Sequence, residues 1–438
     1  MRVVVRAQDA RCARDAQALL ASAGIEAAAV AGPYRPAPDG EDIAIFSALS
    51  ADSESVARIA VASLKAEQPL LARLIGLNSA TPPALGLHDV LLFTGAVALD
   101  APPNLLAAQV EACTRMAIAE EERTRRLATA AKLGIAPPAP VEPRKLKALY
   151  IGAPSSMFLA LEHMLSQHNG LTAAAFSSFA GFDHLHDELF DAVVLNGAHD
   201  AATAVALCAA LRRNAALYHM PTMVVTKPGD AATAVAAIER GASAVAEANA
   251  PCGPSLGWLF EAVRRERRRR AAEHKIRALR DLMGDTHTGL FRREPFDAHL
   301  KRLAADHHAS GRPMALCVLR VLPAHGRHEP APEIWTRGFA EIASLAGRLI
   351  RDCDAGVALG HDFLAVAMPA TSLIGARRTA ERIAAVAECT AFAAGDGGVG
   401  PLVFEQSAVE LQPGESGSAL LNRALRALDA DPMSRTVN

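Results

Sequence analysis

Short apolar runs recur through the first 260 residues, separated by longer stretches with helical periodicity. Arg2 to Arg6 reads as a strand and Ala10 to Ala23 as a helix. Further strands are expected at Ile43 to Phe46, Leu74 to Leu77 and Val90 to Phe93. The Pro-rich stretch Ala136 to Pro143 breaks the pattern and reads as a linker. The pattern then restarts at Ala148 to Ile151, Leu171 to Ala175, Ala192 to Leu195, Thr222 to Val225 and Ala242 to Ala246. Short apolar strands alternating with helices imply an α/β fold, a parallel sheet with helices on both faces. Two such units stand in tandem.

A charged stretch, Leu256 to Met283, follows, with seven residues from Arg264 to Arg270 of which six are Arg. Leu259, Val263, Ile276, Leu279 and Leu282 give it one apolar face, so it reads as a helix, and Gly284 ends it. Glu261, Glu266 and Glu273 offset the Arg run, which therefore reads as a solvated helix rather than a nucleic-acid site. The expected boundaries are 1–135 for the first unit, 136–145 for the linker, 146–255 for the second unit, 256–284 for the helix and 285–438 for a third unit.

Composition narrows the chemistry. Apolar residues make up 51% of 438, enough for several cores, while aromatics at 4% leave few platforms for stacking single-stranded nucleic acid. A net charge of -2 offers no global field for DNA or anionic lipid. Cys12, Cys113, Cys208, Cys252, Cys317, Cys353 and Cys389 form no CxxC pair, so neither a zinc site nor a disulfide framework is expected. Free thiols suit a reducing compartment. No apolar run reaches the roughly 18 residues of a membrane span and the N-terminus lacks a signal-peptide pattern, so a cytoplasmic protein is expected. His307, His308, His325 and His328 cluster in sequence without a carboxylate or thiol frame, and read as exposed loop residues rather than metal ligands.

The first two units resemble receiver domains of response regulators, a flavodoxin-like fold. That family phosphorylates an Asp at the end of its third strand. Here Glu41-Asp-Ile-Ala-Ile-Phe-Ser47 places Ser47 at that position, and Phe190-Asp-Ala-Val-Val-Leu-Asn196 places Asn196 there. The acidic pair that holds a cation after strand one is thin in the first unit, Asp9 only, and missing in the second, Gly152-Ala-Pro-Ser155. Thr226 remains after strand four of the second unit, and no Lys follows strand five in either. The resemblance thus implies two degenerate receivers that act as scaffolds.

The third unit resembles a GGDEF domain, the nucleotidyl-cyclase-like, ferredoxin-like α+β fold of diguanylate cyclases. Asp285-Thr-His-Thr-Gly-Leu-Phe-Arg-Arg-Glu-Pro-Phe296 is similar to the family opening DxLTGLxNRRxF, Leu359-Gly-His-Asp-Phe-Leu-Ala-Val-Ala-Met-Pro369 to its signature hairpin, and Thr379-Ala-Glu-Arg-Ile383 to the helix after it. The order receiver, receiver, GGDEF is that of PleD-type diguanylate cyclases and of their inactive PopA-like relatives. The signature loop is degenerate: Gly360 is followed by His361, Asp362 and Phe363, Arg320 stands where the family has a metal-binding Asp, and Arg292 where it has a guanine-reading Asn. An Arg repels a cation rather than ligating it. Catalytic residues and a catalytic metal are therefore not expected.

What remains is an RxxD pattern, Arg351-Asp-Cys-Asp354, five residues before Gly360. At that spacing the family carries a site for cyclic di-GMP. Arg pairs in a fork with guanine O6 and N7, and a carboxylate accepts from guanine N–H donors. Arg382 falls where the family has a further Arg. The resemblance implies a non-catalytic cyclic di-GMP effector with ligand residues Arg351, Asp354 and Arg382. It further implies homodimers through receivers and linker helix, and recruitment of protein clients and ClpXP-type protease adaptors at a cell pole in bacterial cell-cycle control. Two other readings stay open: a weak or regulated diguanylate cyclase, and a ligand-free dimeric scaffold.

Overall fold

The computed structural model describes residues 2–32, 34, 35, 37, 40–49, 53–65, 71–81, 83, 92–139, 144–323, 331–390 and 402–430. Val3–Ala7 (β1), Ala27–Ala31 (β2), Ile43–Ser47 (β3), Ala72–Leu77 (β4) and Gly95–Ala98 (β5) pair in parallel in the order β2-β1-β3-β4-β5. Helices Ala10–Ser22 (α1), Ser53–Lys65 (α2) and Pro103–Lys132 (α3) accompany them. The layout repeats with Lys147–Ile151 (β6), Leu171–Ala175 (β7), Ala192–Asn196 (β8), Thr222–Thr226 (β9) and Ala244–Glu247 (β10), in the order β10-β9-β8-β6-β7. Ser156–Gln167 (α4), Ser178–Asp187 (α5), Ala201–Arg213 (α6), Ala231–Glu239 (α7) and Gly253–Met283 (α8) are its helices. Both sheets have the flavodoxin-like order 2-1-3-4-5.

The central strands are buried along their whole length, as a sheet covered on both faces requires. Strand β2 had no counterpart in the sequence reading. Its Ala-Ala-Ala-Val-Ala run has helical composition and lies on the sheet edge, so its strand state comes from pairing with β1. The strand expected at Val90 to Phe93 lies at Gly95–Ala98 instead. Val90 is outside the described residues, while Leu92 and Phe93 fill a core with Phe46 and Trp258 before the strand begins.

Chain contacts divide the molecule into two units, 1–117 with 140–270, and 118–139 with 271–438. The expected boundary at 135 therefore differs from this division: the residues after Ala117 pack with the C-terminal unit. In helix α8, Leu259, Val263, Ile276 and Leu279 are buried as expected, but Leu282 is exposed and Met283 takes the inward place. The Arg run pairs along its own helix, Arg264 with Glu261 and Arg269 and Arg270 with Glu266.

The second unit holds a four-stranded antiparallel sheet built from Met314–Pro323 (β11), Ala355–Leu359 (β12), Phe363–Pro369 (β13) and Leu402–Glu410 (β14), in the order β12-β13-β11-β14. With helices Arg293–Ser310 (α9), Pro332–Leu349 (α10), Leu373–Glu388 (α11) and Gly417–Ala430 (α12), the order from β11 to β14 is βαββαβ. Strand β11 alternates between two cores. Ala315, Cys317, Leu319 and Val321 meet α10 and α11, while Met314, Leu316 and Val318 meet α9, α12 and the inner residues Ala130, Leu279 and Met283. His307 contradicts its reading as a loop residue: it is buried on α9, and His308 is exposed beside it. His325 and His328 lie outside the described residues.

Side chains at the strand ends of the first unit hold loops. Asp9 caps α1, accepting from the Arg11 and Cys12 backbone N–H at 2.9 Å each. Ser47 is buried, its hydroxyl without a hydrogen-bond partner among the described residues. Asn196 donates from Nδ2 to the Ala153 carbonyl at 2.8 Å and accepts from the Ala198 N–H at 3.1 Å. The Thr226 hydroxyl donates to the Ala246 carbonyl at 3.5 Å. Asn196→Ala removes the bond partners of two inward backbone groups and should destabilise by about 1–3 kcal/mol. A melting temperature of the full chain equal to that of the parent would contradict this role.

Candidate functional site

Helix α10 ends at Leu349, and the chain turns through Arg351 to Asp354 before entering β12. The Asp354 N–H donates to the Arg351 carbonyl at 2.9 Å. The Asp354 carboxylate accepts in return from the Arg351 backbone N–H at 2.9 Å and from its Nη2 at 2.9 Å. Arg351 Nη2 also donates to Thr371 Oγ1 at 2.6 Å, just beyond β13. On α11, Arg382 is exposed and donates from Nη2 to the Leu349 carbonyl at 2.9 Å. Arg351, Asp354 and Arg382, distant along the chain, thus meet at one end of α10.

Their environments differ. The Arg351 side chain is 50% exposed and that of Asp354 only 2%. Burial pushes the Asp354 carboxyl up from its usual value, against the pull of Arg351. Both carboxylate oxygens face Arg351. Asp354 therefore holds the Arg351 guanidinium in place. Sequence reasoning missed Thr371, whose part depends on the backbone at Ala370 (φ 50°) turning it toward the site.

At the far end of β12, Gly360, His361 and Asp362 form the turn to β13. Gly360 has φ 77°, a left-handed conformation that favours glycine. His361 is exposed, and its carbonyl accepts from Trp335 Nε1 at 2.8 Å. Asp285, Arg292, Arg337, Arg348, Gly360 and His361 are among the residues that line a cavity of about 1170 Å³. Arg292 also donates from Nη2 to the Leu282 carbonyl at 3.2 Å, closing the end of α8. Arg320 lies 3.7 Å from Asp362, 3.7 Å from Glu405 and 3.9 Å from Asp429, over the Phe363 ring. The guanidinium thus places one positive charge among three carboxylates. No cluster of three or more His, Cys, Asp or Glu suited to a metal is found among the described residues. No helix among them is long and apolar enough to cross a membrane.

No family model matches the chain, and no curated protein matches it. Among solved structures it is similar to the GGDEF domain of DgcB from Caulobacter crescentus in complex with c-di-GMP, at 24% identity over 34% of this chain and 88% of that one, TM-score 0.29. It is similar to the active GGEEF domain of a diguanylate cyclase from Vibrio cholerae at 15% identity, over 32% and 88%, TM-score 0.27. Diguanylate cyclase SiaD, in complex with its activator SiaC from Pseudomonas aeruginosa, matches at 21% identity over 41% and 73%, TM-score 0.28.

A buried histidine supports the Thr371 side of the site. His307 Nδ1 lies 2.8 Å from the Leu303 carbonyl, and Nε2 accepts from the Ala370 N–H at 3.2 Å. Burial, then the charge of Arg125, pushes its pKa down to about 4. A lowered histidine value stabilises the fold fully above the unfolded value near 6.5 and loses that contribution as pH falls through about 4. Stability of the full chain should therefore decline between pH 6.5 and 4.5, a window above the range where Glu122, held low, titrates. His307→Gln should flatten that slope in thermal melts, and an unchanged slope would assign it elsewhere.

Proposed function

We propose that this chain is a non-catalytic cyclic di-GMP effector that recruits protein partners, with two degenerate receiver domains before a degenerate GGDEF domain. The observation that carries the reading is the meeting of Arg351 and Arg382, both exposed, at the end of α10. A guanidinium fixed by Asp354 and Thr371 loses little freedom on binding and presents a fork to guanine O6 and N7. Arg382 offers a second cation to a phosphate or a base. Asp354 serves as the anchor of Arg351.

Synthesis from GTP fits this geometry poorly, because Arg320 stands among Asp362, Glu405 and Asp429 where a cation would have to bind. The receiver positions support scaffolding, since Asp9 caps a helix and Asn196 holds two loops. Helix α8 buries most of its apolar face within the chain, which leaves homodimerisation to the surfaces of the α/β domains. Client recruitment at a cell pole, with a ClpXP-type protease, rests on the PopA-like resemblance.

Titration calorimetry of the intact protein tests the ligand. Arg351→Ala should lower affinity for cyclic di-GMP at least about tenfold, roughly 1.4 kcal/mol, and should also lower the melting temperature, because the buried Asp354 carboxylate loses its counter-charge. Arg382→Ala should weaken binding less, and added salt should weaken it in the parent, since the ligand is a dianion. Unchanged affinity in Arg351→Ala would place the ligand elsewhere. Incubation with GTP and Mg²⁺ should give no cyclic di-GMP, and product accumulating over many turnovers would restore the cyclase reading.

A further inference from the structure

The Arg351 turn is held from beneath by a residue far away in sequence. Arg126, on α3, belongs to the same unit as the turn, and its side chain is fully buried. Its Nη2 donates to the Asp352 carbonyl and to the Asp354 carbonyl, each at 2.8 Å. Nη1 donates to the Ile276 carbonyl at 3.1 Å, and the guanidinium lies 5.0 Å from the Phe291 ring centroid. Two carbonyls of one turn converging on one nitrogen fix two peptide planes. Asp354 fixes the third feature, the Arg351 N–H.

A buried guanidinium needs a counter-charge. Glu122, also fully buried, accepts from Arg126 Nε at 2.7 Å and from Arg125 Nη1 at 3.0 Å. His299 Nε2 stands 2.9 Å from the same carboxylate, and its Nδ1 stands 3.1 Å from Thr129 Oγ1. His299 and the two arginines hold the Glu122 carboxyl well below its usual range against burial. Arg125 reaches on to Asp306 at 2.8 Å, so the cluster also grips α9.

We propose that Arg126 is a positioning residue for the candidate ligand site: it holds the 351–354 turn in the shape that presents Arg351. This rests on the cyclic di-GMP reading only for the identity of the ligand. The shape of the turn is a separate matter and has its own readout. Lysine is the informative replacement. It keeps a positive charge beside Glu122, but a single ammonium does not reproduce the planar fork that spans Glu122 and the carbonyls.

The test is amide hydrogen exchange of the intact, ligand-free protein over the peptide around 349–356, run beside calorimetry with cyclic di-GMP. In Arg126→Lys, exchange at Arg351 and Asp354 should quicken at least about tenfold and affinity should fall at least about tenfold. If Arg126→Lys does not fold, Arg126→Met with Glu122→Gln removes both charges together and takes the same measurements. Exchange unchanged from the parent in a folded variant would overturn the proposal whatever the ligand. Faster exchange with unchanged affinity would overturn it too, since the turn would then not govern Arg351. A parent protein that binds no cyclic di-GMP, while exchange still quickens in the variant, would remove the ligand reading and leave Arg126 as the support of the turn.

Discussion

A carboxylate out of reach of water, Glu122, organises the C-terminal unit. Burying a charge costs several kcal/mol unless partners surround it, and Arg125, Arg126 and His299 do so. Each partner then satisfies a second demand. Arg126 reaches the carbonyls of the 351–354 turn, Arg125 reaches Asp306, and His299 reaches Thr129 while stacking on Phe291. A neighbouring carboxylate, Glu121, adds Arg312 at 2.8 Å. The end of α3, helix α9 and the candidate ligand turn are thereby joined by one set of charge-assisted bonds.

The Arg351 turn and the Gly360 turn lie at opposite ends of β12. Five residues separate the Arg351 turn from the Gly360 turn, about 17 Å of extended chain. At the Gly360 end, the Arg320 guanidinium lies over the Phe363 ring. At the Arg351 end, the Arg351 N–H and guanidinium and the Asp352 and Asp354 carbonyls all have partners, which holds the turn in one shape.

Three positions that depart from the motifs they resemble are engaged in ordinary structural bonds. Asp9 caps a helix, Asn196 ties two loops, and Arg292 closes the end of α8. A carboxylate in place of Asn196 would face the Ala153 carbonyl with no donor.

The sequence by itself determined the tandem α/β layout, the hairpin around Gly360 and the RxxD spacing. Each is written in local periodicity or in short distances along the chain. It did not single out β2, whose alanines become a strand only by pairing with β1. It placed His307 in solvent because no local pattern shows that α9 turns it inward. Only the tertiary structure decided that Asp354 lies under Arg351, that Thr371 and Arg382 reach the same helix end, and that Arg126 grips the turn from 228 residues away. Burial and long-range hydrogen bonds set those roles, and neither leaves a trace in the spacing of residues along the chain.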